Sequence, residues 1–238
     1  FAAFSADSAT PVLPRLDLNG RVRAVVALAG GGWLVGGEFT QVNGVSRNRL
    51  VKLLADGTVD AAFTASANNS VWALAVSGST VYVGGKFTSF NSTSRDRLVR
   101  VNAATGALDP TFVPAFSGGT DPSVCALLVS GSRVVVGGTF TMASGVAHQN
   151  LAAIDATTGA EVAAFTGTAD GRVAALALAG ADLIAAGEFT TIGGLARTGV
   201  ARLDGTTGTA VSGFNAQGNG HVTSVVVSGA HVFAGGEF

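Results

Sequence analysis

Apolar positions in this chain fall in short, nearly continuous runs rather than at helical spacing. Val71-Trp72-Ala73-Leu74-Ala75-Val76 is one such run, and the stretches 22–28, 124–129, 173–178 and 222–227 are others. Runs this short and this rich in Val predict strands buried on both faces. A Ser-Gly or Ala-Gly pair follows each run, then a second apolar stretch such as Val81-Tyr82-Val83 or Val134-Val135-Val136, so each pair predicts a hairpin. A third strand is predicted at Leu98-Val99-Arg100-Val101 and at Val200-Ala201-Arg202-Leu203. It leads to a fourth through Asn102 to Gly106, Asp155 to Gly159 or Asp204 to Gly208, where Asn or Asp accepts from nearby amides and Gly supplies a positive φ. No stretch carries a 3.6-residue period.

Phenylalanine shows that the pattern repeats. One set closes a short motif: Gly36-Gly37-Glu38-Phe39, Gly84-Gly85-Lys86-Phe87, Gly137-Gly138-Thr139-Phe140, Ala186-Gly187-Glu188-Phe189 and Gly235-Gly236-Glu237-Phe238, at spacings of 48, 53, 49 and 49. A second set, Phe4, Phe63, Phe112, Phe165 and Phe214, lies about half a repeat away, so ten of the 14 Phe occupy two slots. A side chain that contributes roughly 1.5–3 kcal/mol on burial, placed so regularly, is a packing anchor. Four strands in each unit of about 49 residues predict an all-β fold: a β-propeller of four-stranded antiparallel blades, about five of them present and the last incomplete. Residues 1–238 then form a single domain whose repeats end near Phe39, Phe87, Phe140, Phe189 and Phe238. Residues 1–20 supply a strand end and an extended connection. Phe1 to Phe4 match the end of a repeat, and the only Met is Met142, so the chain is expected to be a processed product or a segment of a longer propeller.

The pattern Val-x-Ala-Leu-Ala-Val-Ser-Gly-x-x-Val-Tyr-Val-Gly-Gly-x-Phe-Thr, followed by Arg-x-x-Leu-x-Arg and a Thr-Gly turn, resembles the delta-60 repeat of bacterial secreted β-propellers. It is also similar to repeats of fungal cortical polarity markers. The resemblance covers roughly residues 20–238, and repeat 1 departs from it with Leu54-Ala55-Asp56-Gly57 in place of the Thr-Gly turn. It implies the fold and a secreted or cell-surface setting. It carries no catalytic residue set.

Composition narrows the function classes. With 14 basic and 15 acidic side chains the formal charge is −1, which leaves no broad field to gather nucleic acid or an anionic membrane. No apolar stretch is long enough for a spanning helix, so membrane insertion is not expected. One cysteine, Cys125, forms no internal disulfide, and three scattered histidines offer no metal site, so no cofactor is expected. There is no nucleophile elbow, zinc-protease helix, phosphate loop or calcium loop. Asn68 and Asn91 head Asn-x-Ser/Thr sequons.

Antiparallel meanders place alternate connections at opposite ends of the strands. One end carries tight turns. The other carries loops 40–49, 88–97, 141–149 and 190–199, together with the connections after each fourth strand, which hold all the large length variation. Binding residues concentrate on loops over a rigid scaffold, so this end is the candidate functional face. Its ligand-binding candidates are Asn68, Asn69, Phe90, Phe116, Thr120, Asp121, Asp170, Arg172, Asn215, Gln217, Asn219 and His221, with Asp7 and Asp17 on the longer segment Ser5 to Gly20. Amides, hydroxyls and exposed aromatics suit a carbohydrate or protein partner. Phe90 and Phe116 stand outside the two Phe slots and have a second reading, as satellite core beneath their loops. Arg47, Arg95, His148 and Arg197 each follow a Phe slot by eight residues. Their preferred reading is structural, a cation tying its loop to carbonyls with Glu38, Glu188 or Glu237 as partners, ahead of anion binding. A second, weaker site is the variable first-strand slot of Arg23, Trp72, Cys125, Ala174 and Thr223. The expected function is a non-catalytic recognition or adhesion propeller. A glycan-active enzyme using Asp121 and Asp170, with Asp7, Asp17 and Asp96 as further acids, and a self-assembling surface subunit remain the alternatives.

Overall fold

The computed structural model describes residues 15–216, 218 and 220–237. Phe1, Phe4, Asp7, Gln217, Asn219 and Phe238 lie outside the described residues. Contacts divide the chain into two compact units, residues 1–110 and 111–238. Every regular element described in either unit is a strand.

The first unit holds two repeats. In repeat 1 the strands Val22–Ala27, Trp33–Gly37 and Leu50–Leu53 form an antiparallel sheet with the second strand in the middle; Val71–Ser77, Thr80–Gly85 and Leu98–Asn102 repeat this order in repeat 2. The second unit holds Ser123–Ser130, Arg133–Thr139 and Leu151–Asp155 in repeat 3, then Val173–Ala179, Asp182–Gly187 and Val200–Leu203 in repeat 4. The hairpin His221–Ser228 and His231–Glu237 begins repeat 5.

The expected fourth strand shrinks to one bridge per repeat: Leu53 with Val59, Val101 with Leu108, Ile154 with Glu161 and Leu203 with Ala210. In three repeats an Asx turn leads into it. Asn102 Oδ1 accepts from the amides of Ala104 and Thr105, and Asp155 and Asp204 do the same for Thr157 and Thr158, and for Thr206 and Thr207. The chain therefore turns at once and then runs toward the next repeat. The loops between second and third strands are themselves small hairpins, such as Gln41–Val42 with Val45–Ser46 and Ser89–Phe90 with Thr93–Ser94.

The Phe slots form the cores. Phe39, Phe63 and Phe87 in the first unit, and Phe112, Phe140, Phe165 and Phe189 in the second, are fully buried. The Gly-Gly motif sits where two strands approach closest. A Cβ on Gly36 would come within 2.6 Å of Val71 Cγ1 on the next repeat, and Gly137 meets Val173 in the same way. A Cβ on the second glycine, Gly37, Gly85, Gly138, Gly187 or Gly236, would collide with a carbonyl where the chain enters its own hairpin, that of Arg21, Ser70, Ser123, Arg172 or His221. Glycine is a packing requirement at the second position, whereas repeat 4 accommodates the buried Ala186 at the first.

That second glycine also faces a β-bulge. The register between first and second strands slips at the same place in all five repeats, between Val22 and Ala24, Val71 and Ala73, Val124 and Ala126, Val173 and Ala175, and Val222 and Ser224. The extra residue is Arg23, Trp72, Cys125, Ala174 or Thr223. A bulge turns its side chain out of the alternating pattern, so one backbone device presents five different side chains from one position.

Candidate functional site

At the loop-bearing end, much of what the sequence marks as binding chemistry holds the backbone together. Asn68 Oδ1 accepts from the amides of Thr88 and Ser89, while its Nδ2 donates to Thr88 Oγ1. Asn19 makes the same three bonds to Thr40 and Gln41. Asp170 accepts from the amides of Thr190 and Thr191 and from the Thr190 hydroxyl. Desolvation pushes the Asp170 carboxyl up, but the Thr190 hydroxyl and the two amides outweigh it and hold its pKa below the ordinary value. Asn91, the second sequon residue, has φ +47° and ties Ser66 to Gly106 through its side-chain amide.

The cationic slot divides. Arg197 is only 9% exposed and donates to the carbonyls of Ala196, Val211, Ser212 and Phe214, as the structural reading expects. Arg47 and Arg95, half-buried, bond the carbonyls of Ser46 and Ser94. His148 is buried, and its Nε2 lies 3.0 Å from Glu161 Oε1. Glu161 occupies the bridge position that Val59, Leu108 and Ala210 fill elsewhere, so His148 and Glu161 form a paired replacement within one repeat. The expected partnership of this slot with Glu38 and Glu188 is not what forms: those carboxylates pair with Arg23, at 2.6 Å, and with Arg172, at 2.9 Å.

Phe90 and Phe116 are not exposed aromatics. Both are fully buried, Phe90 against Phe87 with ring centroids 5.6 Å apart and Phe116 edge-on to Phe140 at 4.9 Å. Size trades across the loop bridges: Phe90 opposes Ala67, Phe116 opposes Ala143, and Ile192 opposes Ala169. That compensation is the sequence signal for their burial.

The remaining rim candidates are scattered. Asn69 is exposed and accepts from the amide of Ser70. Thr120 and Asp121 lie on the segment between Ser117 and Ser123 that makes the third repeat long; it opens with Gly118 and Gly119 at positive φ. The carbonyl of Asp121 takes the Thr139 hydroxyl. Asn215 is exposed. Sequence reasoning missed the residue ten positions after each buried Phe of the first set. Arg49, Arg97 and Asn150 take a left-handed φ of 61–68° there, and Gly199 the same region, so that the amide can bond the Phe carbonyl.

The bulge slots, in contrast, gather side chains. In the first unit Arg23 donates from Nε and Nη2 to Glu38 Oε1, and its guanidinium carbon lies 5.7 Å from the centre of the Trp72 ring. Lys86 Nζ lies 4.8 Å from the same ring. In the second unit Arg172 bonds Glu188, and Glu188 lies 3.3 Å from His221 Nδ1. Arg172 also reaches Cys125, which contacts Ser123 Oγ at 3.4 Å. Burial opposes the charge of Arg172, but Cys125 and Glu188 together raise its pKa above the ordinary guanidinium value. Two rim candidates, Arg172 and His221, thus meet around Glu188, which the sequence reading assigned elsewhere. A pocket of about 210 Å³ opens beside them, lined by Glu188, Phe189, Thr190, Thr198, Gly220 and His221. Among the described residues no group of three His, Cys, Asp or Glu side chains is placed to hold a metal.

A family model described as a β-propeller domain of unknown function, DUF5122, matches residues 31–63 and 80–112. The WD40 β-propeller domain of Doa1 is 16% identical, with a TM-score of 0.60 over 98% of this chain and 66% of that one. The fold is a β-propeller. A chain of the mitotic checkpoint complex matches at 16% identity and TM-score 0.61, over 97% of this chain and 62% of that one. BamB from Moraxella catarrhalis matches at 15% identity and TM-score 0.52, over 94% and 83%. This propeller chain thus spans about two thirds of the Doa1 and checkpoint chains. No curated protein sequence matches it.

Proposed function

We propose that this propeller is a non-catalytic recognition module of the delta-60 type, displayed outside the cytoplasm, which holds a carbohydrate or protein partner at the loop-bearing end of its repeats. One observation carries the reading. Five bulges at one register hold Arg23, Trp72, Cys125, Ala174 and Thr223, five different chemistries on one repeated backbone, with Cys125 buried and the other four at least partly open. Packing asks for sameness at such a position, as it does for the Phe slots, whereas a surface that reads a partner asks for difference. The enzyme alternative loses Asp170 as a free acid, because three donors already hold it.

Screening against a glycan array and a panel of surface proteins tests the reading. A ligand is expected whose binding falls when Arg172→Ala and His221→Ala, which meet around Glu188, are combined, with the melting temperature little changed. Absence of any ligand, or hydrolysis of a bound glycan, would overturn it.

A further inference from the structure

We propose that the first unit holds a small monocarboxylate with an apolar body, such as a short fatty acid or an aryl-acetic acid, in the cavity beside Arg47. The proposal goes beyond the recognition reading, which rests on the bulge positions. The cavity, about 410 Å³, lies between the small hairpin of loop 40–49 and the segment that follows the turn of repeat 1. That volume is within the range that takes small ligands. Leu16, Val42, Val45, Val59 and Ala61 supply apolar wall, and Arg47 is the one charged side chain among the described lining residues.

The same slot in other repeats shows what Arg47 leaves open. In repeat 4 Arg197 crosses to the segment past the bridge and donates to the carbonyls of Val211, Ser212 and Phe214; in repeat 3 His148 crosses to Glu161. Ala61, two residues past the bridge of Leu53 with Val59, stands where Ser212 stands past that of Leu203 with Ala210. It lines the cavity instead of receiving the guanidinium. Among the described residues the Arg47 guanidinium makes one hydrogen bond, from Nη1 to the Ser46 carbonyl at 3.3 Å, and its Nε is shielded from solvent without an acceptor. The acids of the facing segment are engaged elsewhere: Asp60 pairs with Lys52 at 2.9 Å, and Asp56 accepts from the amide and hydroxyl of Thr58. Arg47 therefore keeps unused donors and an unmatched charge at an apolar wall. A guanidinium fork takes a carboxylate in two parallel bonds, while the walls cover the hydrocarbon body. One cation answers one negative charge; a phosphate, close to doubly charged at neutral pH, would leave part of its charge in an apolar site.

Calorimetric titration of the full chain with hexanoate and phenylacetate tests the proposal, with hexanamide, phenylacetamide and inorganic phosphate as comparisons. One or both acids should bind, about tenfold tighter than the matching amide, and the methyl resonances of Val42, Val45 and Ala61 should shift as the acid is added. Arg47→Gln, which keeps a donor but removes the charge, should weaken acid binding about tenfold at the parent's melting temperature. Arg95→Gln, the same slot in repeat 2, should leave it unchanged. Should Arg47→Gln unfold the chain, the parent's preference for acid over amide and the place of its methyl shifts decide the matter. The assignment is overturned if neither acid binds, if amide or phosphate binds as tightly, if acid binding survives Arg47→Gln, or if the shifts fall only on other methyls. The recognition reading stands or falls separately, on partner binding by the combined Arg172→Ala and His221→Ala variant.

Discussion

Equivalent turns in the two units differ by one atom type and hold the same bonds. In the first unit Asn68 caps the loop at Thr88 and Ser89, and Asn102 closes the turn at Ala104 and Thr105. In the second, Asp170 and Asp204 do the same work at Thr190 and Thr191, and at Thr206 and Thr207. An amide oxygen and a carboxylate oxygen accept alike, so this part of the charge difference between the units is neutral to the fold. The bulge slots differ in another way. Arg23 in one unit and Arg172 in the other both pair with the Glu before the Phe slot, but the first faces the Trp72 ring and the second reaches Cys125. Substitution that preserves bonds marks structure; substitution that replaces them on an unchanged backbone marks the surface free to specialise.

The largest test of that comparison removes what the units share. Phe87→Ala in the first and Phe140→Ala in the second should each cost about 3–5 kcal/mol, measured by urea unfolding, since both rings are fully buried against a second phenylalanine. A cost below 1 kcal/mol in either would show that the slot is not the same anchor in both.

A smaller effect should separate the cationic slots. Arg197→Ala strands the carbonyls of Val211, Ser212 and Phe214 and should cost about 2–3 kcal/mol. Arg47→Ala, which loses a bond to Ser46 at a more open position, should cost about 1 kcal/mol or less. Equal losses would mean that the slot is energetically uniform despite its geometry.

Acid should weaken the second unit's turns more than the first's. Thr207, through its amide and hydroxyl, and then the Thr206 amide lower the pKa of Asp204; Asp170 is lowered by its threonine donors against the desolvation that raises it. A carboxyl lowered on folding stabilises above its unfolded pKa, about 3.9 for Asp, and that stability is lost as pH falls through the folded value. Asp170→Asn with Asp204→Asn should therefore flatten the fall of melting temperature below about pH 4, because Asn68 and Asn102 already show that an amide serves in these places. An unchanged acid limb would shift the cause to other carboxylates, such as Asp60, whose pKa is lowered chiefly by its bond to Lys52.

The three-stranded core of each repeat and the Phe slots were legible because large aromatics and Val-rich runs recur at fixed distance, and one side chain of that size has few places to go. The fourth strand was overread, since an Asx turn followed by a few apolar residues has the same text whether it makes a ladder or a single bridge. Phe90 and Phe116, taken one at a time, have the text of rim aromatics. Only the small residue across the bridge, Ala67 or Ala143, tells that the ring turns inward. The five variable positions were visible as a weak set. Their common cause was not, because a bulge is a relation of two residues to one and leaves no mark in one strand's sequence.

The smallest effect on stability is also the sharpest on the comparison. Arg172 and Glu188 form an ion pair with a third of each side chain exposed, and such pairs contribute little. Arg172→Ala should thus move the unfolding free energy by no more than about 0.5 kcal/mol, as should Arg23→Ala at the corresponding end of the first unit. If the bulge slots and the arginines beside them are reading positions, both variants must keep the melting curve of the parent while losing partner affinity, the reverse of Arg197→Ala, which must lose stability first. A large loss of stability in Arg172→Ala would place it with the loop staples, and the division between fixed turns and variable bulges would have to be redrawn around the first unit alone.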